Sequence, residues 1–447
     1  MAATPILVDG FQFLRSSGTG IASYVRSLTA MLKSSGCSVS VLYGQAFQPS
    51  TKTSPGAAAA AVFSREIVKH GRILGQAHNA SLAFGLITGS AYRAKAVAIN
   101  TSQIDMRAIE PPLPAADRLF NANRLYARAN AAFNLTGKFT EVSAEGDDCA
   151  FAASHWTGPM PVRMRGVPNI YTLHDLIPLQ FPYFVTGFGA RMHQMHETIA
   201  READHIITVS ENSKRDIVAM LNVPDDRVTV TYQPVPSLPD MDMADAERLV
   251  VTIYGAKPGH YALFLGAIEP KKNIKRLVEA FLLADLGIPL LIAGPLGWLY
   301  EDDVALINTV NQLNQSEQKI RQLGYLPRRH VVALLKCAKF FVFPSIYEGF
   351  GLPVIEAMQL GVPVLTSNNS SLPEVVGDAA VQIDPFSISD MTSGLRRING
   401  DIDLLNELRL KGPLQAARFS APYCQGLLAQ AYKKVGVTLD QSVAKVL

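Results

Sequence analysis

One stretch constrains this chain more than any other: an apolar run, Lys339-Phe-Phe-Val-Phe343, leads into Pro-Ser-Ile-Tyr-Glu-Gly-Phe-Gly and then Leu352-Pro-Val-Ile-Glu356. The apolar run is bounded by turn chemistry and reads as a fully buried strand. Leu352 to Leu360 reads as a helix, because Pro353 suits a first turn, Gly361 lies just past the end and Pro363 bars continuation. A strand, a glycine turn and a helix start together make an anion site. Gly349 and Gly351 let backbone approach a ligand closely, and the free N–H groups of the first helical turn favour negative charge. Glu348 and Glu356 bracket this turn. Carboxylates repel phosphate but accept hydrogen bonds from hydroxyls, so the pair calls for a ligand that is anionic in its middle and hydroxyl-rich at both ends. A nucleotide sugar has that shape.

A chain of 447 residues is too long for one ordinary core and fits two domains. With 48% hydrophobic and 18% charged residues it is expected to be globular. The net charge of +3 is weakly basic and the lysines and arginines are scattered. Nucleic acid is therefore not an expected partner, while loose association with an anionic membrane surface stays open. Cys37, Cys149, Cys337 and Cys424 lack the spacing of metal ligands, so neither a metal site nor a disulfide framework is expected. Met-Ala-Ala-Thr-Pro at the start lacks the pattern of a signal peptide, and Ser81 to Asn100, interrupted by Arg93 and Lys95, is a poor membrane span. The expected location is cytoplasmic, with peripheral contact at the inner membrane face left open.

In the first half, Ile6 to Asp9 reads as a strand, Gly20 to Lys33 as an amphipathic helix and Val39 to Tyr43 as a second strand. Between strand and helix, Ser16-Ser-Gly-Thr-Gly20 offers backbone donors at a helix start, the usual opening of a doubly wound domain. A glycine turn serving only tight packing is the competing reading. Residues 45 to 145 are assigned to helices and loops, including helices over Arg65 to Leu74 and Arg118 to Phe133. Asp148 to Ser154 and Asn169 to Leu173 read as strands ending in His155-Trp156 and His174-Asp175. Polar side chains there point into the crevice where α/β sheets bind ligands, and His174 is the better candidate. Phe188 to Ala203 is a helix whose His193 and His196 have no partner at metal spacing. A strand from His205, a helix capped by Ser210 and a strand from Val228 close the half.

Gln233-Pro-Val-Pro-Ser-Leu-Pro-Asp cannot hold regular structure and joins the domains. The expected division is residues 1–235, a linker over 236–257, a second domain over 258–412 and a helical tail over 413–447 that crosses back to the first domain. In the second domain Tyr261 to Gly266 is a strand, followed by Ala-Ile-Glu-Pro-Lys271-Lys272-Asn273 and a helix. Two lysines at a helix start suit a diphosphate; a solvated charge pair is the bland alternative. Strands and helices then alternate, with Pro413 and Pro422 marking breaks before the last helix.

Taken together, the Glu-Pro-Lys-Lys-Asn loop, the strand ending at Gly324 and Glu348-Gly-Phe-Gly-Leu-Pro-Val-Ile-Glu356 closely resemble retaining glycosyltransferases of family 4. Gly18-Thr-Gly20 and Thr172-Leu-His174-Asp175 extend the likeness to most of the chain outside residues 45–145. The resemblance implies the glycosyltransferase B fold, an α/β arrangement of two Rossmann-like domains facing across a cleft. It also implies roles. Glu356 would bind the donor ribose. Glu348 and the backbone of Gly349, Phe350 and Gly351 would face the transferred sugar, with the Leu352 N–H toward the diphosphate. Lys272 matches the family's diphosphate lysine, Gly324 and Tyr325 lie where backbone reads the base, Gly18 and Gly20 approach from the first domain, and His174 sits beside the reacting centre. Ala267 stands where many members carry an arginine, which leaves Lys271 as the candidate substitute; members reading Glu-Pro-Arg-Lys-Asn are most similar.

The implied activity is metal-independent transfer of a hexose, mannose first, from a nucleotide-diphosphate sugar, GDP first, to a glycan or lipid-linked acceptor in surface polysaccharide synthesis. No cofactor beyond that donor is expected. The rivals are a sugar-nucleotide epimerase or glycan phosphorylase of the same shape, and a non-catalytic nucleotide-sugar-binding scaffold.

Overall fold

In the computed structural model the described residues are 3–14, 20–47, 92–99, 115–144, 150–184, 189–313 and 319–440. The first half is built on a ten-stranded sheet. Its strands are β1 (Thr4–Asp9), β2 (Cys37–Tyr43), β3 (Arg93–Ile99), β4 (Arg118–Asn121), β5 (Thr140–Ala144), β6 (Ala153–Trp156), β7 (Val162–Met164), β8 (Asn169–Thr172), β9 (His205–Thr208) and β10 (Val228–Val230). They lie in the order β10-β9-β8-β6-β1-β2-β4-β3-β5-β7. Pairing is parallel except between β3 and β4. β1 is flanked by β2 on one side and β6 on the other, so the strand order reverses there and the ends of β1 and β6 open a crevice.

The second half is a six-stranded parallel sheet. Here β11 (Ala262–Leu265), β12 (Leu290–Ala293), β13 (Ile320–Gly324), β14 (Phe340–Phe343), β15 (Val364–Ser367) and β16 (Val381–Ile383) run in the order β13-β12-β11-β14-β15-β16. That is the doubly wound order 3-2-1-4-5-6, whose switch point lies between β11 and β14. The lysine loop leaves β11 and the glycine-rich turn leaves β14, so the topology itself brings both stretches to the switch point. β11, β12, β14 and β15 are buried along their whole length, as strands covered by helices on both faces must be.

The halves are tied at their seam. Residues 231–242, which contain the proline-dense segment, carry no helix or strand. The helix Ala421–Lys433 packs on the first half: the Gln425 amide donates to Ser35 Oγ at 2.7 Å, and Tyr432 Oη lies 2.9 Å from His155 Nδ1. Beside it the return of the chain meets the outgoing linker, where Val235 N–H donates to the Phe419 carbonyl at 3.1 Å.

Several sequence readings change. Residues 45–145 are not only helices and loops, since β3, β4 and β5 all come from that region. The helix expected over Arg118 to Phe133 is instead β4, a short turn and the helix Leu125–Thr136. Leu119 and Phe120 are apolar on both faces of a strand that β2 and β3 enclose, which a helical period cannot distinguish over so short a span. The helix expected over Arg65 to Leu74, and Cys149, lie outside the described residues. Pro413 also does not break a helix; it sits inside Ile402–Ala417. Its missing N–H frees the Arg409 carbonyl, and that oxygen lies against Gly361, 3.5 Å from where a Cβ would be. Pro422 likewise lies not in a break before the last helix but in its first turn, because the helix begins at Ala421. Cys37, Cys337 and Cys424 are buried free thiols. Among the described residues no helix is long and apolar enough to cross a membrane.

Candidate active site

After β11, Pro270–Lys272 makes one tight turn and Asn273, at φ 62°, starts the helix Ile274–Ala284. The Asn273 amide donates to the carbonyls of Pro344 at 3.1 Å and Pro385 at 2.7 Å, and the Ile346 N–H donates to the Lys271 carbonyl at 2.8 Å. The lysine loop and the glycine-rich turn are thereby one unit. A second support comes from the loop after β15. Asn369 donates to the Ile346 carbonyl at 2.8 Å, while Ser371 Oγ lies 2.9 and 2.8 Å from the carbonyls of Glu348 and Phe350. Ser370 Oγ accepts from the Glu348 N–H at 3.2 Å. Sequence reasoning missed this scaffold, although the polar cluster Ser367-Asn-Asn-Ser-Ser371 is a run of side chains suited to bonding backbone.

Lys272 Nζ lies 2.5 Å from Glu348 Oε1, with both side chains about nine-tenths buried (11% and 10% exposed). The same ammonium sits 4.6 Å from the centre of the Phe343 ring. Burial disfavours the charge on Glu348, yet Lys272 and Lys271 outweigh it and hold the carboxyl below its ordinary value. Burial pulls Lys272 down, with Glu348 opposing it. Lys271 behaves oppositely: burial is outweighed by Glu348, Glu269 and Asp175, which raise it and keep it charged. Its Nζ is 3.6 Å from Glu269 Oε1. Lys271 therefore lies among Glu269, Glu348 and, from the first half, Asp175.

At the other end of the turn, Glu356 meets a residue that sequence reasoning did not single out. Arg328 holds it through two hydrogen bonds, Nη1 to Oε2 at 2.9 Å and Nη2 to Oε1 at 2.6 Å. Each carboxylate oxygen keeps a further lone pair, so ribose hydroxyls can still be received there. Arg328 begins the helix Arg328–Lys336, just after Gly324 and Tyr325. Gly324 has φ 70° and its carbonyl accepts from the Gly294 N–H at 2.8 Å, while Tyr325 is largely exposed beside it.

The first half supplies the opposite wall. His174 Nε2 lies 3.0 Å from the Thr157 carbonyl, so Nε2 carries the proton and Nδ1 is left as an acceptor. Thr157 is itself held by Asp9 at the end of β1, whose carboxylate accepts from the Thr157 N–H at 2.5 Å. Burial pushes Asp9 up to about 6. Tyr24 packs edge-on against the His174 ring at 4.8 Å. Burial lowers His174, against the Thr157 carbonyl and Asp175, so it is neutral near pH 7.

The walls meet at Gly349. A Cβ there would lie 2.6 Å from the His174 carbonyl and 3.2 Å from Asp175 Oδ2, so only glycine admits this approach. Gly351, at φ 114°, precedes the helix Leu352–Gln359. The start of that helix faces the start of Gly20–Ser34, since a Cβ on Gly20 would lie 4.0 Å from Leu352 Cδ1. Two helix starts thus lie close together, each with the free N–H groups of a first turn. Across the seam the His174 carbonyl and Asp175 approach Gly349, and Gly20 approaches Leu352, while Lys272 pairs with Glu348 on the second-half side; the Phe350 ring packs against Tyr232 and Phe419, and Gly18 lies outside the described residues. Cavities of about 500 Å³ at the outer edge of the first sheet and about 410 Å³ beside Tyr232 and Tyr423 are lined by other residues.

Comparison with known proteins agrees with this geometry. The family described as Glycosyl transferases group 1 matches residues 255–412, and Glycosyltransferase Family 4 matches residues 139–237. The O-antigen chain mannosyltransferase B of Escherichia coli is 36% identical over 271 residues, covering 59% of this chain and 70% of that protein. The serotype-specific mannosyltransferase WbdA of Escherichia coli is 30% identical over 269 residues, 56% of this chain but only 32% of that larger protein. Among solved structures, sucrose-phosphate synthase from Thermosynechococcus elongatus has a TM-score of 0.62 at 15% identity, covering 97% of this chain and 99% of that one. Anabaena HepE in complex with UDP and glucose has a TM-score of 0.60 at 14% identity, covering 96% and 99%. The fold is that of the two-domain B-type glycosyltransferases, and the chain belongs to the group 1, family 4 glycosyltransferases.

Proposed function

We propose that this enzyme transfers mannose from a GDP-sugar to a hydroxyl of a glycan or lipid-linked acceptor in surface polysaccharide synthesis, with retention at the anomeric carbon. The observation that carries the reading is the buried Lys272–Glu348 pair beside the glycine-rich turn, whose next residue, Gly349, meets the His174 carbonyl. The mannosyltransferase relatives support the choice of sugar. In this reading Glu356 receives the ribose hydroxyls and Glu348 a hydroxyl of the sugar. The departing diphosphate takes up charge between Lys272, Lys271 and the facing helix N-termini, a preorganised arrangement in which one donor is worth roughly 3–4 kcal/mol. The acceptor oxygen forms its bond to the anomeric carbon as the carbon–phosphate oxygen bond breaks, and the acceptor proton passes to the departing phosphate oxygen. These groups make the reaction independent of a divalent cation. Peripheral contact with a membrane presenting the acceptor belongs to the same proposal.

The test is a panel of nucleoside diphosphates in thermal unfolding, followed by transfer assays with the corresponding sugar donors. A ligand at about a hundred times its dissociation constant adds about 2.7 kcal/mol of stability. GDP stabilising more than UDP or dTDP, and mannose appearing on acceptor in the donor's anomeric form, are the expected results. Stabilisation by UDP alone would remove the GDP assignment, an inverted product would remove retention, and unchanged turnover in Lys272→Ala would remove the charge-stabilising role.

A further inference from the structure

The helix Glu211–Leu221 belongs to the first half, yet its first turn is completed by the second. A helix start carries four N–H groups without intrahelical partners. Of the three on the first helical residues, that of Ser213 donates to the Ser210 side chain at 3.0 Å, while the Lys214 N–H already has its helical partner in the Ser210 carbonyl at 3.0 Å. The other two, on Glu211 and Asn212, donate to the two carboxylate oxygens of Glu374 at 2.8 and 3.3 Å. Glu374 lies in the short helix Leu372–Val376, immediately after the serine that holds the Glu348 and Phe350 carbonyls.

The same turn grips the glycine-rich segment directly. Asn212 Nδ2 donates to Tyr347 Oη at 2.7 Å, and that hydroxyl donates to the Asp216 carboxylate one turn along. Tyr347 precedes Glu348 and is buried among Ile177, Phe181 and Phe184 of the first half. Ser213 Oγ then reaches the His174 carbonyl at 3.0 Å, with the Gly349 carbonyl at 3.5 Å. One helical turn therefore touches His174, Tyr347, Gly349 and Glu374, residues from both walls of the crevice.

We propose that Asn212, Tyr347 and Glu374 are positioning residues for sugar transfer: they dock the glycine-rich turn against His174 without touching the donor. Separating the walls would strip two helix N–H groups of Glu374 and take the Tyr347 hydroxyl from Asp216 at once, leaving Asp216 only its bond from Asn212, so docking is cooperative. The kinetic consequence rests on the proposed transfer reaction; the docking itself does not.

Tyr347→Phe keeps the buried ring and removes only the hydroxyl, Asn212→Ala removes its partner, and Glu374→Gln removes the charge that receives both amides. Each is expected to lower kcat for transfer by roughly tenfold. Calorimetric affinity for GDP and UDP, held by the second half, should stay within about threefold. The double variant Asn212→Ala/Tyr347→Phe should lose little more than Tyr347→Phe alone, because removing the hydroxyl already removes the bond from Asn212. Small-angle scattering without donor should show a larger radius of gyration for Glu374→Gln and for the double variant than for wild type. Wild-type kcat and wild-type dimensions in all of them would overturn the proposal, as would a loss of nucleotide affinity equal to the loss of kcat. If wild type transfers no sugar from any donor, the functional reading fails while the scattering comparison still decides the docking role.

Discussion

The two carboxylates of the glycine-rich turn are both paired, but in different surroundings. Lys272–Glu348 is buried at both ends, whereas in Arg328–Glu356 the arginine side chain is 42% exposed. A buried pair is expensive to assemble and costs more still to break, because removing one partner strands the other charge. A rim pair is screened and contributes little to folding. In the proposed reaction the inner pair handles charge at the reacting bond, and in the outer pair an arginine that solvent reaches orients a buried carboxylate.

Breaking the inner pair should therefore have the largest effect. Lys272→Ala leaves Glu348 buried beside Lys271 alone, and is expected to cost about 3–5 kcal/mol in chemical denaturation. Its kcat should fall roughly 10²–10³-fold; a loss no greater than that of the outer pair would erase the distinction. Gly349→Ala comes next. Its methyl group would meet the backbone carbonyl of His174, and overpacking of this kind costs roughly 1–3 kcal/mol, read here as reduced kcat with the second half still binding nucleotide. Arg328→Ala should be milder. Stability should move by less than about 1 kcal/mol, while the donor KM rises by roughly three- to tenfold as Glu356 loses its fixed orientation.

The smallest effect is in acid. Glu348 has a folded value below its ordinary 4.5, so the unfolded chain takes up that proton first. The stabilisation is thus complete above about 4.5 and is lost as pH falls through the lower folded value. Wild type should lose slightly more stability than Glu348→Gln between about pH 5 and 3. The slope shared by both begins earlier, because burial and neighbouring His174 push His155 from 6.5 down to about 3, and the unfolded chain therefore gains protons from about 6.5 downward. Parallel curves for the two proteins below pH 4.5 would contradict the inner pair's assigned charge state.

The second half was largely legible because its strands are continuous apolar runs closed by glycine or proline, as in Phe340 to Phe343 before Pro344. Lys272, Glu348 and Glu356 stood out for the same reason, being charged residues at the ends of such runs. Arg93-Ala-Lys-Ala-Val-Ala-Ile carries no comparable signal, since β3 alternates small and charged residues with partial exposure. Long-range partners were invisible for another reason. Nothing local announces that Arg328 meets Glu356, that Asp9 holds Thr157, or that Glu374 completes a helix in the other half; those contacts are created by the strand order.

The seam has a mechanical consequence. The polypeptide passes between the halves twice, and the two passages lie side by side where Val235 bonds to Phe419. A body attached by two adjacent straps keeps chiefly one rotational freedom, about the line of the straps. Sliding and twisting would strain both straps, so any separation of His174 from Gly349 would have to follow one arc and would bring them back to the same register.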